Sequence, residues 1–334
     1  MAKEFRISLA LRPMAFNQDV KALIPKPGID GRFIFYSLSA NAKAIRDLAT
    51  EAAHGTKKLE MSRLEGFSIK VPRAVETQRS IASVAYAYED LIVTNQRRIA
   101  LLEEAARCLY REWFVHLRFP GHKAVEMLDG VPKGWRTKAL SEIANVNARS
   151  IGAREKPDSL LYIDISSVSP GVIDEVTPYA FVDAPGRARR RVSHGDVIWS
   201  CVRPNRRSYA LIWEPDEKLV ASTGFAVLSA KAVPFSYLYF NTTTDEFVGY
   251  LEQNATGAAY PAVTAKTFED AEIIVPDDET LATFDKFVLP QIEQIEMLNK
   301  QNRALALARD ALLPKLMSGQ LDLSGISPPA QEVA

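Results

Sequence analysis

The sequence predicts an α+β protein: mixed α/β domains joined by two long antiparallel coiled-coil helices. Three observations carry this. The chain repeats itself in order and spacing. Two long segments place apolar residues at an alternating four–three interval. Short runs of alternating apolar residues, separated by turn residues, fill the stretch between those segments.

The repeat comes first. Residues 55–72 read GTKKLEMSRLEGFSIKVP and residues 257–276 read GAAYPAVTAKTFEDAEIIVP. Both open on Gly, cross a polar stretch, and close an alternating apolar run with Pro. FIFYSL at 33–38 and FSYLYF at 235–240 stand equally far ahead of Gly55 and Gly257, and NQDVKALIPK at 17–26 parallels STGFAVLSAK at 222–231. The second copy opens at GVPKGW. Carried back by the same interval, the first copy's opening falls well ahead of Met1. Residues 1–72 are therefore expected to be a partial first domain, truncated at its N-terminus.

Residues 73–117 form the first long helix. Ile81, Ala85, Tyr88, Ile92, Asn95, Ile99, Leu102, Ala106, Leu109 and Trp113 follow the spacing of a coiled-coil seam. Residues 118–133 (RFPGHKAVEMLDGVPK) carry Pro and Gly at both ends and read as a linker. Residues 277–319 form the second helix, with Phe284, Val288, Gln291, Ile295, Leu298, Asn302, Leu305, Arg309, Leu312 and Leu316 at matching positions. Asp278 and Glu279 suit its start, Ser318-Gly319 its end, and Pro290 should kink it or mark its true beginning. Forty residues of helix make a rod of ~60 Å. Neither rod has an apolar face broad enough to stand alone, so the two are expected to pair. Asn95 and Asn302 sit at seam positions, where each either fixes register or reaches solvent at the edge.

Residues 134–276 form the complete second domain. LLYIDISSV (160–168), GDVIWSCV (195–202), LVASTGFAVLSA (219–230) and AEIIVP (271–276) read as strands, and 235–254 as one helix on the sheet. Residues 320–334 are polar and Pro-rich and are expected to be a disordered tail.

Lys plus Arg and Asp plus Glu are equal at 41 each, so any basic surface must be local. Cys108 and Cys201 lie far apart and offer neither metal spacing nor a disulfide framework, which suits a reducing compartment. No run approaches the ~20 apolar residues that span a bilayer. Walker, GxGxxG, zinc and Asp/Asn-Pro-Pro-Tyr motifs are missing, and His54, His116, His122 and His194 are scattered. No catalytic or metal-binding residues are predicted.

The chief charged feature is 184–209, APGRARRRVSHGDVIWSCVRPNRRSY. Arg187, Arg189, Arg190, Arg191, Arg203, Arg206 and Arg207 face one acid within it, Asp196. Two clusters flank a strand, so both could reach one rim of the domain. Arginine forks match phosphate oxygens and the O6/N7 edge of guanine. The alternative is a solvated face balanced by acids from elsewhere. The loop 257–264 carries Tyr260 and leads to Lys266, and its counterpart 55–63 carries Lys57, Lys58 and Arg63. Such paired loops fit two DNA half-sites, and they fit two ordinary turns.

Four passages carry a family resemblance: REWFVHLRFPGH…GVPKGW at 111–135, GDVIWSCVRP at 195–204, ARDALLPKLMSGQLDLS at 308–324 and NQDVKALIP at 17–25. With the repeat they touch most of the chain. The Leu-Leu-Pro-Lys-Leu-x-Ser-Gly ending is specific in that company and weak alone. The chain resembles the specificity subunit of type I restriction–modification systems. The resemblance implies two target recognition domains, 1–72 and 134–276, each reading half of a split site in double-stranded DNA. It implies that the spacer helices 73–117 and 277–319 set the distance between halves. It implies a cytoplasmic complex with modification (methyltransferase) and restriction (translocase/nuclease) subunits. Those partners would bind S-adenosylmethionine, ATP and Mg, and this chain no cofactor. The partial first domain departs from the family pattern. It leaves open a remnant, a mis-assigned start, or a half-specificity subunit acting as a homodimer on a symmetric site. A self-contained restriction enzyme would need catalytic motifs here, and a coiled-coil adaptor would need no arginine concentration.

Overall fold

A computed structural model describes residues 6–18, 20–52, 56–128 and 130–321. The expected tail lies outside the described residues from 322 onward. In chain order the helices are α1 (Gly31–Ala40), α2 (Ala42–Asp47), α3 (Met61–Glu65), α4 (Val75–Tyr110), α5 (Leu140–Ile143), α6 (Phe235–Thr242), α7 (Asp245–Gln253), α8 (Ala265–Glu269) and α9 (Asp278–Ser318). The strands are β1 (Thr50–Ala52), β2 (Thr56–Lys58), β3 (Met127–Leu128), β4 (Val131–Pro132), β5 (Arg136–Ala139), β6 (Ala144–Val146), β7 (Ser159–Ile163), β8 (Val168–Ser169), β9 (Val172–Ile173), β10 (Thr177–Ala180), β11 (Ala188–Arg191), β12 (Val197–Ser200), β13 (Tyr209–Leu211), β14 (Leu219–Ser222), β15 (Phe225–Ala230) and β16 (Glu272–Val275).

Two compact units result, Met1–Ile99 with Met297–Ala334, and Ala100–Glu296. The sequence reading set the two long helices apart as separate segments. Residues of each long helix fall in both units.

In the first unit Asp30 starts α1 by accepting from the Phe33 amide at 2.9 Å. Phe33 and Tyr36 of α1 pack on Ile81, Ala82 and Ala85 of α4 and on Leu313, Leu316 and Met317 of α9. Gln78, buried in α4, accepts from Asp30 N at 2.8 Å and donates to Pro72 O at 2.8 Å and Gly28 O at 3.2 Å. It thereby satisfies backbone groups that a loop has no ladder to pair. Further along, Glu89 meets Arg309 at 3.7 Å and Asn95 donates to Asn302 at 3.0 Å. As numbering rises along α4 it falls along α9, so the helices are antiparallel.

The second unit shows the same sense. Tyr110, Trp113 and Phe114 all pack on Phe284, with ring centroids 6.0, 6.0 and 4.9 Å apart. Beyond Tyr110 the helix loosens into a π-turn, Arg111–Val115. Pro290 does not mark the start of α9, which begins at Asp278 and runs unbroken past it. A proline inside a helix costs ~3 kcal/mol. Burial of Phe284, Val288 and Ile292 on either side offsets it.

Two four-stranded sheets build this unit. One has the order β10-β7-β14-β11, with β7 and β14 parallel; the other, β13-β12-β15-β6, is antiparallel throughout. Several expectations change here. The run 219–230 is two strands in different sheets, broken at Thr223-Gly224. A Cβ on Gly224 would run into the tip of the Ile165 side chain, so a larger residue at this crossing would require Ile165 to move. The run 160–168 ends its strand at Ile163, because Asp164 takes the Ser166 amide at 3.0 Å and winds a 3-10 turn. Residues 235–254 form two helices, the second begun by Thr244, which accepts from Phe247 N at 3.1 Å. The stretch expected as linker carries the β3–β4 hairpin, and its Phe119 is buried against Trp135 at 4.9 Å.

The copies of the repeat agree in helices and differ in strands. α1 matches α6, and α3 matches α8. β15 pairs with β12 and β6, and β16 with β5. The corresponding stretches, 17–26 and 66–72, have no strand among their described residues. A strand needs a neighbour for its backbone groups, and none of those neighbours has a counterpart among the described residues of the first copy.

Candidate nucleic-acid interface

β12 is buried along its whole length, and the Trp199 indole donates to Thr242 O at 2.9 Å. Past Ser200 the chain leaves the sheet along a second loop. Val263 N donates to Cys201 O at 2.8 Å, and Arg203 N donates to Pro261 O at 2.7 Å. That loop is closed by reciprocal bonds between Thr256 and Ala262, both 2.9 Å, around Gly257 at φ +97°. Burial pushes the neighbouring Cys201 thiol up to about 11, so it stays protonated and unreactive.

The turn Pro204–Arg206 follows, flanked by Arg203 (φ 53°, ψ 63°) and Arg207 (φ 54°, ψ 39°). Two of the five non-glycine residues with positive φ among the described residues thus bracket one turn. Left-handed backbone at such residues costs about 1–3 kcal/mol each. Tertiary bonds hold it. The Arg203 guanidinium lies 4.5 Å over the Tyr260 ring and donates to Ala259 O at 3.4 Å. Arg207 pairs with Asp245, at the start of α7, at 2.5 Å. Arg206, between them, is exposed, and among the described residues its side chain has no hydrogen bond or ion pair. Tyr260 is 68% exposed, leaving one ring face open beside this turn.

The other arginines lie on β11, at the edge of the first sheet. Arg189 lies 5.1 Å over Phe181 and donates to Ala188 O at 3.0 Å. Arg190 donates to Ser150 Oγ at 3.2 Å, while its buried Nε has no partner. Arg191 pairs with Glu155. The two clusters meet only in part. Thr223 N donates to Arg187 O and Cys201 N to Gly224 O, both at 2.8 Å, so one turn ties Arg187 to the start of the Arg203 segment. Arg191 points the other way along the strand. Its backbone joins Arg149, whose side chain meets Asp196 ahead of β12 at 3.5 Å. The arginines form a strip rather than one rim, because the two sheets carry them separately. Acids from elsewhere, Glu155 and Asp245, balance two of them.

Lys266, in α8, pairs with Asp270 at 2.5 Å. In the first unit Arg63 of α3 donates to Leu48 O at 3.2 Å and meets Glu60 at 3.7 Å. Lys57 lies on β2 opposite Glu51, and its side chain is outside the described residues. Of the seam positions, Asn95, Ile295 and Leu298 are buried, while Ile92, Ile99, Leu102, Asn302 and Leu305 are half-buried.

Sequence reasoning missed Arg107. It donates to Thr243 Oγ1 at 3.1 Å and Tyr209 OH at 3.4 Å, beneath the Tyr239 and Phe240 rings. No motif marks it, because its partners are assembled only by folding. Among the described residues no group of three or more His, Cys, Asp or Glu could hold a metal, and no helix is long and apolar enough to cross a membrane.

Residues 6–104 match the family described as type I restriction modification DNA specificity domain. The chain is 24% identical over 325 residues to the type I restriction enzyme MjaIX specificity subunit of Methanocaldococcus jannaschii, covering 94% of this chain and 74% of that one. The chain thus resembles type I specificity subunits over nearly its whole length. The HindI specificity subunit of Haemophilus influenzae is 24% identical over 184 residues, 53% of this chain and 39% of its own. The crystal structure of a type I S subunit from M. genitalium shares the fold, with TM-score 0.50 and 16% identity over 87% of this chain and 73% of that chain.

Proposed function

We propose that this specificity subunit reads DNA sequence for a type I restriction–modification complex and performs no chemistry itself. The turn Arg203–Arg207 carries this reading: three arginines and an exposed Tyr260 are held on a strained, tertiary-bonded loop. Arg189, Arg190 and Arg191 extend the strip along β11, and Lys266 flanks it on α8. In the first unit Lys57 and Arg63 are the matching candidates for the other half-site. Strained loops on rigid sheets suit recognition, because the scaffold fixes where donors point.

In this reading the modification subunits hold S-adenosylmethionine and the methyl-transfer site. The restriction subunits use ATP and Mg, and the assembly works on DNA in the cytoplasm. The test is co-purification with a modification subunit followed by mapping of methylated bases. Methylation at one recurring split site is expected. A complex that forms and methylates without sequence preference overturns the reading.

A further inference from the structure

We propose that Arg206 reads a guanine in the DNA major groove, while Arg203 and Arg207 serve as its pedestal. This deepens the DNA-reading function above and rests on it. The three arginines of the turn are held very differently. The guanidinium of Arg203 is turned onto Tyr260 and Ala259 O, and that of Arg207 onto Asp245. Both outer arginines spend their forks on partners within the chain, at its surface. Arg206 alone of the three projects free, from the end of a turn closed by Arg206 N to Arg203 O and Arg207 N to Pro204 O, both 2.9 Å. Pro204 beneath it is buried and lacks backbone freedom.

A phosphate contact does not call for such a mount. Phosphate attraction acts through charge, tolerates displacement, and is served by lysines on mobile segments. A base edge is different. Guanine presents O6 and N7 in one plane, and a guanidinium lying in that plane bonds both through a fork of fixed geometry. That demands a backbone held in one place, which two left-handed arginines and a buried proline supply. Tyr260 and the cation stacked on it sit beside this fork, where their bulk would set how closely the turn approaches the groove wall.

The experiment is selection from random duplexes with the full chain co-expressed with its modification subunit, comparing the wild type with Arg206→Ala and Arg206→Lys. Lysine keeps the charge and loses the planar fork. Both variants should lose preference for guanine at one position of the site, by about tenfold or more, with the other positions unchanged. Two results overturn the proposal alone. In one, Arg206→Lys returns the wild-type site. In the other, Arg206→Ala keeps the site and lowers the salt slope of binding by roughly one, as a phosphate contact would. A wild-type complex that enriches no sequence overturns the DNA-reading function itself, and the proposal with it. Arg206 is exposed, and unchanged thermal unfolding of both variants checks that the fold is intact.

Discussion

At Asp277 a single carboxylate starts α9 and anchors the second unit. It accepts from Thr280 N at 2.9 Å, Thr280 Oγ1 at 2.9 Å and the Trp135 indole at 3.0 Å. Burial alone would raise its pKa. The bonds from Thr280 and Trp135 outweigh that and hold it below the usual carboxylate value. A carboxylate depressed on folding stabilises fully above its unfolded pKa, and that stabilisation is lost as pH falls through the lower folded value. Asp277→Ala should therefore cost about 1–2 kcal/mol at neutral pH and less in strong acid, read from unfolding curves at several pH values. Glu103 has the opposite sign. Burial pushes its pKa up, Arg107 partly opposes this, and Glu296 adds to it. Its ionisation costs stability as pH rises from the usual carboxylate value through the raised one. Glu103→Gln should raise Tm at pH 7 and lose that advantage in acid. A lower Tm at pH 7 would show that pairing with Arg107 outweighs burial.

The helices α4 and α9 are built from a weak pattern used twice. Their seam is narrow, and Asn95 and Asn302 meet across it. An amide pair satisfied only in one alignment stabilises that alignment against shifted ones. Asn95→Leu should cost about 1–3 kcal/mol, because Asn302 is left without its donor. The double replacement by Leu should recover stability and blur register, seen as broadened unfolding. Leu298 is 6% exposed, so Leu298→Asp places a carboxylate in the seam and should destabilise by at least about 2 kcal/mol. Unaltered thermal unfolding would remove Leu298 from the seam. The heptad spacing made these positions legible. The π-turn at Arg111–Val115 and the passage of α9 through Pro290 were not, since both depend on aromatic packing around Phe284.

For the whole molecule, equal numbers of acids and bases mean that DNA attraction cannot come from overall charge. In the proposed reading it comes from the arginines of β11 and of the turn after β12. Replacing Arg203, Arg206 and Arg207 together by Ala should weaken binding to the preferred site far more than to other DNA, with little change in salt dependence, measured by titrating both at several salt concentrations. A markedly flatter slope with the preference kept would show that the turn neutralises phosphate instead. The arginine concentration itself was plain in the sequence. Which arginines are held and which is free was not, because Asp245, Glu155 and Tyr260 come from distant segments.

By itself the sequence determined the family resemblance, the α+β class and the two long helices. These follow from periodicity and order, which survive being read along one line. Tertiary structure alone decided that 219–230 divides between two sheets, that Arg107 lies half-buried under aromatic rings, and that Arg203 and Arg207 find partners in the chain while Arg206 stays free of them. Each of those depends on a partner far along the chain. Whether a backbone group or a charge is satisfied is a property of the neighbour that folding brings to it, and local spacing carries no record of that neighbour.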